Sequence, residues 1–381
     1  MCEVLSANEK ALPVHTLAQL DQNDKKPSLE PELARSHPVQ ENLQKRARAK
    51  YLTGAITKQL YANGYAGSDS SRQGGRGLIW SYFRTWNCSA TIIQESDGQL
   101  KAHYCGYRWC MVCSRIRMAK AIARYLPVLE AWVEDSFLVT LTVLNCRDFE
   151  LRDTIKLMMQ QFTSCKRSMK RTHRLSFQYV RKLEVTYNKE ADTYHPHFHV
   201  MVRGEVEAEA LRSLWLKRST LVTHPVAQDV RPMDKKGIKE VFKYFCKVLT
   251  KDKKTGVTSI DGGSLNLIME AVQGMRTFQT GGFKLSDYSP VAEVVDEEGL
   301  LDTKAVTDAY KRTGETVVWI WNQEYADWVD DQTGECLTDY TPSDGMRELV
   351  MSSTPKGVDP FSAPPDPNQR KVEEPEPDPL L

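Results

Sequence analysis

The sequence predicts an α+β protein built on an antiparallel β-sheet flanked by helices, and three observations carry that prediction. Residues 137–143 and 177–187 are runs of β-branched and aromatic side chains, and a third run covers 197–203. The turn-rich segment 188–192 between the last two is short enough to close a hairpin, which makes them antiparallel neighbours. Segments of helical period lie between and after the strands, so helices cover the sheet.

Taken in order, residues 1–44 are polar and without periodicity and are expected to form a disordered leader. Residues 45–130 form a helical and cysteine-rich element. It begins with a basic helix over 45–59, is interrupted by the Gly/Ser-rich stretch 64–77, and has a further helix expected to start near Ser114. Residues 131–290 form the sheet domain. Its helix over 148–171 has an apolar face of Leu151, Ile155, Leu157, Met158, Phe162 and Met169, and a second helix covers 205–218. A fourth strand is expected over 223–230, a strong helix over 234–249 with Asp234 as N-cap, and a short helix over 265–272. The Gly-rich residues 277–284 make a turn between extended pieces. Residues 291–345 are a Trp-rich extension with a strand pair over 317–329, and 346–381 are an acidic, Pro-rich tail expected to be disordered.

The composition, 41% hydrophobic and 27% charged over 381 residues, is that of a globular protein with a sizeable core. A net charge of +1 hides a segregation, because the acidic tail offsets a basic middle. No apolar run approaches the roughly 18 residues of a membrane span, and the first residues lack a basic start followed by an apolar block. A cytoplasmic location without membrane contact is expected. The nine cysteines then read as thiols, metal ligands or core residues rather than as disulfides.

His195, His197 and His199 recur at every second position, with Pro196 fixing the entry to an apolar run. On a strand His197 and His199 share one face, where two imidazoles can chelate one divalent ion. Glu184 belongs to the strand expected to pair with theirs. An acid between Leu183 and Val185 needs a compensating charge, which a metal supplies; the other reading is a solvent-facing Glu on a half-exposed strand. Two histidines and a carboxylate suit Mg²⁺ or Mn²⁺, with Zn²⁺ also compatible. His195 precedes the expected strand and is either a ligand or a supporting group.

On the 234–249 helix, Ile238, Val241, Phe242, Phe245, Val248 and Leu249 form one apolar stripe, and Tyr244 lies about 100° from its centre. Glu240 is one turn earlier, and Lys236, Lys243 and Lys247 surround the pair. A tyrosine ringed by lysines suits nucleophilic use, and an amphipathic helix with a basic surface face accounts for the same residues equally well. Cys88, Cys105, Cys110 and Cys113, with His103 as an alternative fourth ligand, have the spacing of a structural Zn²⁺ site. Reduced buried cysteines are the other reading. The interleaved Arg108, Arg115 and Arg117 and nearby aromatic residues suit contact with DNA phosphate.

Residues 137–143, the His-hydrophobe-His core at His197 and His199, Glu240-x-x-x-Tyr244 and the Cys105-Gly106-Tyr107-Arg108-Trp109-Cys110-x-x-Cys113 block occur in the order seen in plasmid rolling-circle replication initiators. The chain resembles the Rep proteins of the HUH endonuclease superfamily over about residues 88–284. The resemblance implies an HUH-type sheet and a metal-dependent enzyme that nicks and rejoins origin DNA. It implies His197, His199 and Glu184 as metal ligands and Tyr244 as the nucleophile that forms a 5′-phosphotyrosine. Glu240 then activates water for the terminating cleavage. The implied partners are double-strand origin DNA, held by the zinc-bearing block, and single-stranded DNA, held by basic residues such as Lys170, Arg171, Lys243 and Lys247. A host helicase and the replication machinery are implied as well. A relaxase or transposase of the same superfamily, and a non-catalytic zinc-dependent DNA-binding regulator, are the alternatives.

Overall fold

The computed structural model describes residues 38–66, 75–96, 100–175, 177–221, 223–234, 249–251, 258–287 and 316–352. They form a mixed α+β structure with antiparallel sheets. The larger sheet has five strands, β3 (Ser136–Thr142), β4 (Tyr179–Asn188), β5 (Thr193–Arg203), β6 (Asp229–Pro232) and β9 (Phe278–Gly281), in the order β6-β3-β5-β4-β9. The expected hairpin joins β4 to β5 and sets the register opposite Glu184 at His197 and opposite Lys182 at His199.

Alternation along these strands gives the sheet two different faces. One carries Val139, Leu141, Leu183, Val185, Phe198 and Val200, all buried, under α4 (Asp148–Arg171) and α5 (Glu205–Arg218). Phe198 meets Phe162 of α4 and Trp215 of α5 edge-on, and the Trp215 indole donates to the Thr142 carbonyl at 3.1 Å. The other face carries the histidines at one end. At the other end Leu138, Val180 and Met201 pack with Val128, Leu129 and Trp132 of α3 (Met111–Trp132).

Several boundaries differ from the sequence expectation for physical reasons. α1 spans Pro38–Ala66, so it begins inside the expected leader and continues into the Gly/Ser-rich stretch; proline is favoured in a first helical turn, and Leu43 is fully buried. α2 is Gly75–Trp86. α3 starts at Met111 rather than near Ser114, because the Cys110 side chain caps it by accepting from the Cys113 N–H. Leu157 is 40% exposed, since it sits about 100° off the stripe through Ile155, Met158 and Phe162. β5 begins at Thr193, so His195 lies within the strand, opposite Thr186, and does not precede it. The β3 ladder ends at His197, so Pro196, which has no N–H to donate, has no β3 residue opposite it. The strand expected over 223–230 is instead a 3₁₀ turn at Pro225–Ala227 followed by β6, because Pro225 fixes a turn conformation.

The smaller sheet joins β1 (Thr91–Gln94) and β2 (Leu100–Ala102) to β10 (Val317–Asn322) and β11 (Asp327–Asp330), in the order β11-β10-β1-β2. The expected Trp-rich extension therefore completes the cysteine-bearing element: β10 pairs with β1, and the Trp328 indole donates to the Ser89 carbonyl at 2.7 Å. Strands β7 (Leu249–Lys251) and β8 (Thr258–Ile260) pair antiparallel, and β8 leads into α6 (Gly262–Ala271). The last described element, α7 (Asp344–Ser352), runs past the boundary expected at 346 and buries Met346, Leu349 and Val350. Among the described residues no helix is long and apolar enough to cross a membrane.

Candidate metal centres and their surroundings

The pairing of β4 with β5 puts Glu184 beside His197 and one pleat from His199, with all three side chains on one face. One ligand atom from each of Glu184, His197 and His199 lies within 4.8 Å of the others, close enough for one ion to contact all three. The His197 Nδ1 is 3.2 Å from the His195 carbonyl, which can only accept, so Nδ1 carries the proton and Nε2 offers its lone pair. The His199 Nδ1 is 3.4 Å from the Thr140 hydroxyl, and its Nε2 is 3.7 Å from Glu184 Oε2. Burial pushes the His197 imidazole down to about 4, against the pull of Glu184, so it is neutral and able to ligate at neutral pH. Burial alone would raise the Glu184 carboxyl; Lys182, His197 and His199 more than offset this and hold it below the usual carboxylate range.

Lys182 went unnoticed in the sequence as a site residue. It is 3% exposed, lies opposite His199 and donates to Glu184 Oε2 at 3.1 Å. The signal for it was its i, i+2 spacing from Glu184, which puts both on one face of a strand. His195 is tied differently: its Nδ1 is 2.7 Å from Asn145 Oδ1, while the Asn145 amide donates to Thr193 at 3.1 Å. Burial pushes its imidazole down to about 4 as well.

The four cysteines named from spacing are brought together. Cys88 Sγ lies 3.5 Å from the sulfurs of Cys110 and Cys113, and Cys105 Sγ is 3.7 Å from that of Cys113. Four sulfurs bonded at about 2.3 Å to one tetrahedral ion stand roughly 3.8 Å apart, so the cluster fits such an ion. The N–H of Gly106 points at Cys113 Sγ at 3.2 Å and that of Cys105 at Cys88 Sγ at 3.4 Å, which suits sulfur carrying negative charge. Hydrogen bonds from Cys110, Cys113 and Cys88 push the Cys105 thiol toward thiolate, while burial pushes Cys110 up. His103, the alternative ligand, is exposed and not in the cluster.

A second residue not singled out in the sequence is Lys50, which belongs to the expected basic helix over 45–59. It is 3% exposed and donates to the carbonyls of Trp86 and Cys88 at 2.7 and 2.6 Å. Four thiolates around a divalent ion carry a net charge of about −2, and a buried ammonium against them is compensated.

Of the residues expected to touch DNA, Lys170 and Arg171 are exposed at the end of α4, and Arg117 is exposed on α3 while donating to the Gly106 carbonyl. Arg108 is half-buried and donates to the Met275 carbonyl at 2.8 Å. Arg115 is only 7% exposed and reaches the Lys45 carbonyl at 3.4 Å, in the packing of α3 on α1. Of the helix expected over 234–249, residues 235–248 lie outside the described residues, Glu240, Lys243, Tyr244 and Lys247 among them, while Leu249, expected on its apolar stripe, instead begins β7 and pairs with Ile260. Met233 is described; it is buried on the histidine face with Leu138, Val180 and Met201.

These features define an α+β protein with two candidate metal centres, a largely buried His/His/Glu cluster on one sheet face and a tetracysteine cluster. Residues 98–329 match the replication-protein (Rep) family. A protein named Protein rep from Bacillus amyloliquefaciens is 27% identical over 57% of this chain and 74% of its own length. Another Protein rep, from Staphylococcus aureus, is 30% identical over 39% of this chain and 72% of its own length. A third, from a Bacillus species, is 33% identical over 38% of this chain and 52% of its own. No solved structure matches. The chain belongs to the Rep family of plasmid rolling-circle replication proteins.

Proposed function

We propose that this plasmid replication initiator starts and ends rolling-circle replication by nicking and rejoining origin DNA on an HUH-type sheet. The observation that carries the reading is the convergence of Glu184, His197 and His199 on one sheet face. A hard carboxylate with two imidazoles is a donor set suited to Mg²⁺ or Mn²⁺, and these three residues would hold the ion. When bound, the ion supplies positive charge at the scissile phosphate and makes phosphorus a better electrophile.

The chain's own residues do the rest. Lys182 keeps Glu184 ionised and aimed along the strand. The Tyr244 hydroxyl attacks phosphorus as its phenolic proton leaves. The bond from phosphorus to the 3′ oxygen breaks, and that oxygen takes up a proton and becomes the free 3′-hydroxyl from which synthesis starts. Glu240 removes a proton from the water that performs the terminating cleavage. The tetracysteine knot holds Zn²⁺, and with the exposed basic residues of α3 and α4 it engages duplex and single-stranded DNA. A host helicase opens the duplex ahead of synthesis.

The test is incubation of supercoiled plasmid carrying the cognate origin with protein and Mn²⁺ or Mg²⁺. Open circles and a protein–DNA adduct that survives denaturation are expected. Binding without cleavage under both metals would leave only a DNA-binding role.

A further inference from the structure

On the face of the large sheet away from the histidines, α4 and the turn into β9 leave a cleft of about 370 Å³. That is within the range of small-molecule sites, about 300–1,000 Å³. Its polar lining is Lys156, Gln160, Thr163, Arg181, Arg276 and Gln279, with no carboxylate. Arg181 is unusual for a strand residue in a core. It is 2% exposed, and its guanidinium lies against the edge-to-face pair of Phe162 and Phe198, at 4.8 and 4.6 Å from their ring centroids. One of its nitrogens donates to the Arg276 carbonyl at 3.3 Å, and its Nε has no hydrogen-bond partner.

A buried cation is costly unless an anion or a set of acceptors compensates it. Burial pushes the Arg181 guanidinium down only to about 10, so it stays charged at neutral pH. Gln279 sits directly across the β4–β9 ladder from Arg181, which puts its amide on the same face. Arg276 is exposed at the cleft edge. Lys156 is already held by Asp153 at 2.8 Å, so Arg181 and Arg276 are the cations the cleft offers to a ligand. A planar guanidinium packed against two rings, with a second one at the rim and an amide beside it, matches the oxygens of a phosphate group.

We propose that this cleft binds a phosphate group, either of a free nucleotide or of a DNA strand. The sheet itself separates it from the histidine face, so the proposal stands apart from the nicking reading. The full-length protein carrying His197→Ala and His199→Ala, which removes the other face as a phosphate site, is titrated calorimetrically with inorganic phosphate, dAMP and a single-stranded oligonucleotide. Arg276→Ala, at an exposed position, is expected to weaken binding about 10-fold or more. Lys189→Ala, an exposed cation at the β4–β5 turn, is expected to leave it unchanged. Saturable dAMP binding lost in Arg276→Ala identifies a free nucleotide as the source, and oligonucleotide binding alone with the same loss identifies a strand. Equal weakening by Arg276→Ala and Lys189→Ala would reduce the effect to diffuse charge and overturn the proposal, as would unchanged binding of all three probes in Arg276→Ala. Arg181→Met, checked for folding by circular dichroism, provides the second variant and should lose binding with its melting transition still cooperative.

Discussion

Lys182 Nζ stands 3.1 Å from Glu184 Oε2, and both side chains are largely buried on the face that carries the histidines. The pair fixes the carboxylate before any ion arrives. Lys182→Met strips Glu184 of its nearest cation, and breaking a buried pair typically costs about 3–5 kcal/mol. The ion-free variant is therefore expected to melt well below the parent, with Mn²⁺ recovering most of the loss because the metal replaces the missing charge. Thermal unfolding with and without Mn²⁺ checks this; a deficit indifferent to Mn²⁺ would separate Glu184 from the metal. In the parent, the Glu184 carboxyl is held below its ordinary value. Its contribution is therefore fully present above the unfolded value of about 4.3 and is lost as pH falls below it.

The three histidines should separate by role. His197→Ala and His199→Ala each remove a donor atom from the cluster, and metal-dependent nicking should fall below detection. His195 is held by Asn145 and gives its carbonyl to His197, a contact the backbone keeps after substitution. His195→Ala should lose about 10–100-fold, as supporting residues around a metal do. Initial rates against Mn²⁺ concentration decide it, and equal losses in all three would make His195 a ligand.

The cysteine knot should hold one Zn²⁺ per chain, and Cys110→Ser should release it and lower stability sharply. Cys146 and Cys165 lie outside the cluster, so serine at either should leave zinc content unchanged. Lys50→Met leaves the four sulfurs in place and removes their buried counter-charge. Its zinc should be extracted by a chelator faster than the parent's. Metal analysis after gel filtration, followed by timed chelation, checks all three; a protein purified with no zinc under reducing conditions would mean buried thiols.

Tyr244→Phe deletes only the phenolic oxygen. It should abolish the covalent adduct on single-stranded origin oligonucleotides while leaving their affinity within about twofold, since one hydroxyl contributes little to a contact dominated by phosphate charge. Glu240→Ala should still form the adduct and fail to release it. An adduct in Tyr244→Phe, mapped by mass spectrometry, would move the nucleophile to another residue.

Strands β3, β4 and β5, the hairpin and both candidate ligand clusters were legible because they rest on local patterns: period-two alternation at His195, His197 and His199, the C-x2-C spacing at Cys110 and Cys113, and the turn residues after Asn188. What was not legible depends on contacts between residues far apart in the chain. Lys50 and Arg115 look like solvated cations in sequence, and only the packing of α1 against the cysteine element buries them. Arg181 and Lys182 are adjacent and equally basic, yet pleating sends one into an aromatic core and the other to the carboxylate. The pairing of β10 with β1 joins residues more than 200 positions apart, and no periodicity announces such a partner.

That distant pairing has a consequence for stability. Asp327 is buried, and its carboxylate accepts from the N–H groups of Trp328 at 2.8 Å, Thr338 at 3.0 Å and Tyr340 at 3.3 Å. It thereby folds residues 338–340 back onto β11 and positions Trp328 beneath Ser89, the residue next to Cys88 of the cysteine cluster. Asp327→Ala leaves donors without partners in a dry environment, at about 1–3 kcal/mol for each that water cannot reach. Asp327→Asn keeps the two acceptor positions only in part and should be milder. The expected result is a lowered melting temperature for Asp327→Ala accompanied by faster zinc release, because the same small sheet supports the knot. If the variant melts early yet holds zinc as firmly as the parent, the C-terminal strands stabilise their own cluster and leave the cysteines independent of them.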